Sequence, residues 1–117
     1  MRLKAIAVLI LILFISAGTL SADSTIDISG LQVPLIQGAK KLQSPGPKAQ
    51  MRVAAYAVNS PLEQVIDFYS AFFKENGFLL IGGQGAGGLN VSAKKGAVMF
   101  TLRIFQEKGL VIVEFIW

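Results

Sequence analysis

The chain has no cysteine and no histidine. The first absence excludes disulfide staples, thiol nucleophiles and thiolate metal sites. The second removes the side chain whose charge changes nearest neutral pH, so acid–base work would fall to a perturbed carboxylate, a lysine or a tyrosine. Zinc, copper and haem lose their usual protein ligands with both gone. Acidic residues are few: Asp23, Asp27, Glu63, Asp67, Glu75, Glu107 and Glu114 are scattered along the chain, with no cluster to hold a hard cation. No catalytic residue, cofactor site or metal site is expected.

The residues that are present first suggest an address. Arg2 and Lys4 precede the uncharged run Ala5 to Ile15, and Ser16 to Ala22 is small and weakly polar. That order is the layout of a secretory signal. The apolar run is shorter than the roughly 20 residues a spanning helix needs, so residues 1–22 are expected to be removed after Ala22, leaving no transmembrane span. Leu20-Ser21-Ala22 resembles the box that precedes a lipidated cysteine, but Asp23 follows, so thioether lipidation is chemically impossible. The expectation is a soluble, unlipidated protein of the periplasm or exterior. Losing Arg2 and Lys4 with the signal lowers the eleven basic residues to nine, against seven acidic ones. That small excess does not argue for nucleic acid.

The remainder suffices for one domain. Residues 23–50 read as a polar flexible lead, an extended segment from Gly30 to Leu42 with a short edge strand, and a Pro/Gly loop at Gln43 to Ala49. Residues 51–117 read as the α+β body. Met51 to Val58 has strand character. Pro61 to Asn76 has a helical stripe, Leu62, Val65, Ile66, Tyr69, Phe72 and Phe73, with Ser60 as the expected N-cap and Gly77 as the stop. Phe78 to Ile81 reads as a short strand, Gly82 to Gly88 as a loop, and Leu89 to Ala93, Ala97 to Gln106 and Leu110 to Trp117 as strands joined by turns at Lys94-Lys95-Gly96 and Glu107-Lys108-Gly109. The predicted fold is α+β: about five antiparallel strands in the order β-α-β-β-β-β, with the amphipathic helix on one face.

Three motifs favour ordinary structure over chemistry. Glu63 and Asp67 share a helix face near its positive end, where carboxylates facing water are stabilised. Gly83, Gly85 and Gly88 match a dinucleotide fingerprint in spacing, but a strand follows where that motif requires a helix. Lys40-Lys41, with Lys48 and Arg52, and Lys94-Lys95 read as solvated turns that an anionic lipid or acidic polymer could also use. Glu114 reads as an outward edge position, and an enzymatic role would have to rest on Tyr56, Tyr69, a lysine or a carboxylate.

The last two strands are apolar on both faces. Val111, Val113, Phe115 and Trp117 make one, and Met99, Phe105, Ile112 and Ile116 stand on the other, which should be polar if it were solvated. These four are the candidate interaction face. Its expected cover is the chain's own Gly30 to Leu42 segment; the other candidates are a second copy, another envelope protein, or a small apolar or lipid ligand held beneath that segment.

Val33-Pro34-Leu35-Ile36-Gln37-Gly38-Ala39, a strand, Ser60-Pro61-Leu62-Glu63-Gln64-Val65-Ile66-Asp67-Phe68-Tyr69 and Asn76-Gly77-Phe78 together resemble small exported bacterial domains of unassigned function, with Gln37 where a proline is common. The resemblance implies an α+β fold with a β-meander in an envelope setting. It brings no catalytic residues. Mass spectrometry of the native protein is expected to find an amino terminus at Asp23; one still at Met1 would refute signal cleavage.

Overall fold

The computed structural model describes residues 22–42, 51–85 and 87–117. The expected signal up to Ser21, and the loop at Gln43 to Ala49, lie outside the described residues. The order of elements is β1 (Ala22–Ile28), β2 (Leu31–Ile36), β3 (Lys40–Lys41), β4 (Val53–Val58), α1 (Leu62–Glu75), β5 (Leu79–Gly85), β6 (Gly88–Lys95), β7 (Val98–Glu107) and β8 (Leu110–Ile116). β1 and β2 form a two-stranded hairpin, and the other strands form one antiparallel sheet in the order β3-β4-β8-β7-β6-β5. The class is α+β as expected, with more strands. β5 to β8 form a meander, and β4 joins its far side, so α1 carries the chain across the sheet from β4 to the opposite edge.

The polar lead expected at Asp23 to Ser29 is strand β1 instead. Its apolar residues alternate, with Ile26 half-buried and Ile28 fully buried, and they pair with Val33 and Leu31. Ser29 and Gly30 both take positive φ (53° and 90°), and the Asp27 carboxylate accepts a hydrogen bond from the Gly30 N–H at 2.8 Å. Two consecutive residues at positive φ suit the twist of a two-residue hairpin. Pro34 is tolerated because β2 has a partner on one side only. β3 is the short edge strand expected before the loop.

The helix matches its stripe. Val65, Ile66, Tyr69 and Phe73 are buried and Leu62 and Phe72 half-buried. Its N-cap differs: Pro61, extended at φ −60° and ψ 142°, occupies that position with no side-chain cap, so Ser60 lies one residue too early. The C-terminus is a Schellman motif. The Phe78 N–H donates to the Phe73 carbonyl at 3.1 Å and the Gly77 N–H to that of Lys74 at 3.4 Å, with Gly77 at φ +70°. The Phe73 and Phe78 rings, 5.1 Å apart, make the accompanying apolar contact.

The glycine-rich loop expected at Gly82 to Gly88 is also a strand pairing. Gly82 to Gly85 extend β5, and Gly88 opens β6 opposite Gly85. Gly82 (φ +103°) lies so close to β6 that a Cβ would sit 2.5 Å from the Asn90 carbonyl oxygen, and a Cβ on Gly88 (φ +139°) would overlap that of Ile104. Gly82 and Gly88 let these backbones approach closely, and strand β6 follows where a phosphate-binding fingerprint needs a helix.

One core holds the fold together. Ala54, Tyr56 and Val58 from β4, Val111, Val113 and Phe115 from β8, Phe100, Leu102 and Ile104 from β7, and Leu89, Val91 and Ala93 from β6 share a sheet face with α1 and the β1–β2 hairpin packed on it. Tyr69 links the layers. It is fully buried, its ring meets Phe115 edge-on at 5.9 Å, and its hydroxyl accepts the Ile36 N–H at 3.2 Å. The hairpin therefore belongs to the body rather than to a separate extended lead.

The packing and the close backbone approach at Gly88 make three outcomes testable. Tyr69→Phe leaves the Ile36 N–H buried without a partner and should cost about 1–3 kcal/mol in denaturant titrations. Burial raises the Tyr69 pKa from its ordinary 10.0, so the neutral phenol stabilises the fold below pH 10 and stability should fall as pH rises beyond it; Tyr69→Phe should lose that part of the alkaline dependence. Gly88→Ala combines a backbone overlap with an unfavourable φ and should cost about 3 kcal/mol or more, read as a lowered Tm.

Candidate functional site

Residues directly opposite on neighbouring strands share a face, so the register maps the second side of the sheet. One row runs Leu79, Lys94, Met99. The next runs Ile81, Ser92, Thr101, Ile116, Val53, and the third Gly83, Asn90, Arg103, Glu114, Ala55. The last runs Gly85, Gly88, Phe105, Ile112, Ala57, Lys40. All four residues of the candidate interaction face, Met99, Phe105, Ile112 and Ile116, stand on this one side. They form two groups, Met99 with Ile116 and Phe105 with Ile112, separated by the third row.

The separating row is polar and held in place. The Arg103 guanidinium donates to the Glu114 carboxylate at 2.6 Å and lies over the Phe105 ring, 4.9 Å from its centre. Glu114 is therefore no edge residue: β8 lies between β4 and β7, and its carboxylate spans to the neighbouring strand. Such cross-strand pairs, with Arg103 about half exposed, contribute modestly to stability and fix side-chain direction more than they add energy.

Exposure differs among the four. Ile112 is only 8% exposed because Ala57 and Phe105 flank it on both neighbouring strands. Phe105 and Ile116 are half-buried, and Met99 is 54% exposed. Leu79 and Ile81 extend the surface to the β5 edge at 63% and 65% exposure. Leu79 and Ile81 fall in the short strand expected at Phe78 to Ile81, and the pairing that runs on to Gly85 sets their register against β6. The Arg103–Glu114 pair had a usable signal, since the two residues are equidistant from the Lys108-Gly109 turn.

The expected cover lies elsewhere. The Gly30 to Leu42 segment packs with α1 on the core face, as the Tyr69–Ile36 hydrogen bond requires, and continues into β3 at the sheet edge. A ligand space between that segment and the second face is thus absent among the described residues, because the greasiest positions of β2 (Val33, Leu35 and Ile36) are consumed by the core. A shallow hollow of about 250 Å³ does open on this side, lined by Gly83, Gly85, Gly88, Asn90, Arg103 and Phe105 among others. A second, of about 440 Å³, lies at the hairpin tip between Asp27, Ser29, Gly30, Arg52 and Trp117.

Asp27 and Arg52 line the larger hollow and Arg103 the smaller, while the tyrosines and the α1 carboxylates lie away from both. Tyr56 and Tyr69 point into the core, and burial raises the pKa of both, which makes each phenol harder to ionise. Glu63 and Asp67 are exposed on α1. Lys95 lies 5.5 Å over the Phe78 ring, and Lys40 and Lys41 form the edge strand β3. Among the described residues no three carboxylates gather, and no helix is long and apolar enough to cross a membrane. Compared with protein families, with curated proteins and with solved structures, the chain finds no match.

Proposed function

We propose that this chain is a non-enzymatic interaction module of the bacterial envelope, exported by its amino-terminal signal, which contacts another envelope protein or a copy of itself through the second face of its sheet. One observation carries the reading. Among the described residues the elements that cover the sheet, α1 and the β1–β2 hairpin, both pack on the core face, yet the other face bears Met99, Phe105, Ile112 and Ile116, with Leu79 and Ile81 beside them. Exposed apolar side chains on an uncovered face favour a contact surface, and here two such groups flank a polar row. The Arg103–Glu114 pair at the centre supplies a fixed polar feature that a partner can read, and charges arranged this way serve specificity more than affinity.

The test is site-specific photo-crosslinking in the exported protein. A crosslinker at Met99 or Phe105 should trap a discrete adduct, whereas one at Glu63 on the exposed side of α1 should not. Phe105→Ser should abolish the adduct formed from Met99 and shift stability by no more than about 1 kcal/mol, since Phe105 lies outside the core. A strictly monomeric protein with no adduct from either face position overturns the reading.

A further inference from the structure

The two edges of the sheet differ. At one, β3 is two residues long and both are lysines, a short charged strand of the kind that discourages further pairing. At the other, β5 runs seven residues, Leu79-Leu80-Ile81-Gly82-Gly83-Gln84-Gly85, all of them exposed. No described strand pairs with its outer side. From Phe78 to Ala93 the sequence contains no charged residue, so nothing on β5 or most of its neighbour guards the open backbone groups.

We propose that β5 pairs with β5 of a second copy of this chain, antiparallel and about a two-fold axis at Gly82, joining two sheets into one. This contact uses the edge of the sheet and stands apart from the reading of its face. The strand is complementary to itself in size: its first three residues are bulky, and three of its last four are glycine. An antiparallel pairing centred on Gly82 sets Leu79 opposite the partner's Gly85, Ile81 opposite the partner's Gly83 and Leu80 opposite the partner's Gln84. Leu79 and Ile81 each meet a glycine, Leu80 meets the uncharged Gln84, and the axis itself carries no side chain. Charge points the same way. The chain is basic overall, so two copies repel over most of their surface and approach most easily through an uncharged strand. An isologous contact also makes every favourable pair occur twice.

Sedimentation of the full chain over a range of concentrations, with hydrogen exchange of the β5 amides, tests this. The expected result is a concentration-dependent dimer whose β5 amides slow as it forms. Ile81 and Leu80 point to opposite sides of the sheet, so Ile81→Lys and Leu80→Lys separate edge from face. Both should abolish the dimer, with circular dichroism confirming an unchanged fold. A monomer at every concentration with freely exchanging β5 amides overturns the proposal. So does a dimer lost in Ile81→Lys and kept in Leu80→Lys, which assigns the contact to the face. Protection of β5 only when another envelope protein is added also overturns it, in favour of a donated strand from that protein.

Discussion

Tyr69 is the point on which the layers depend. A phenol removed from water retains a hydroxyl that needs a partner, and a strand without a second neighbour has backbone N–H groups that need acceptors. Here each meets the need of the other: the Tyr69 oxygen takes the Ile36 N–H while its ring packs on Phe115 of the sheet. The helix, the hairpin and the central strand are thereby held in one register. From Phe115 the ring contacts continue through Phe100 to Phe73 and Phe78, so the helix C-terminus is fastened to the same cluster. With no disulfide, this apolar interior and its satisfied polar atoms hold the fold.

Placing every covering element on one side has a consequence for the other. The sheet needs only one packed face to be stable, so the second can carry residues chosen for a different purpose. Its apolar groups flank a hydrogen-bonded ion pair, and the uncharged strand β5 has no described neighbour on its outer side. The face and the edge are physically distinct surfaces: one offers side chains, the other offers backbone groups.

Much of the fold was legible in local patterns. The helix stripe from Leu62 to Phe73, the glycine stop at Gly77, and the strict alternation of β6, β7 and β8 all appear where periodicity places them. Met99, Phe105, Ile112 and Ile116 were legible as one group because alternation assigns faces without any knowledge of strand order. Two elements lack a local signature. β1 reads as a polar lead because only Ile26 and Ile28 mark its buried side, and Ser29-Gly30 lies outside the commonest two-residue hairpin pairs. Gly82 to Gly88 looked like a loop because glycine has weak strand preference; its use there answers to β6 and β7 passing close by, which is a property of the neighbours.

By itself the sequence determined which side of each regular element is apolar, where most turns fall, and which chemistries lack their residues. Those are consequences of side-chain type and of the periods of helix and strand, which act over a few residues. Only the tertiary structure decided that the Gly30 to Leu42 segment packs beside the helix instead of over the second face, that β4 pairs with β8, and that β5 ends the sheet as an open edge. Those outcomes depend on contacts between residues far apart in the chain. The Tyr69 hydroxyl meets the Ile36 amide across 33 positions, and no local pattern encodes which distant donor a buried oxygen will find.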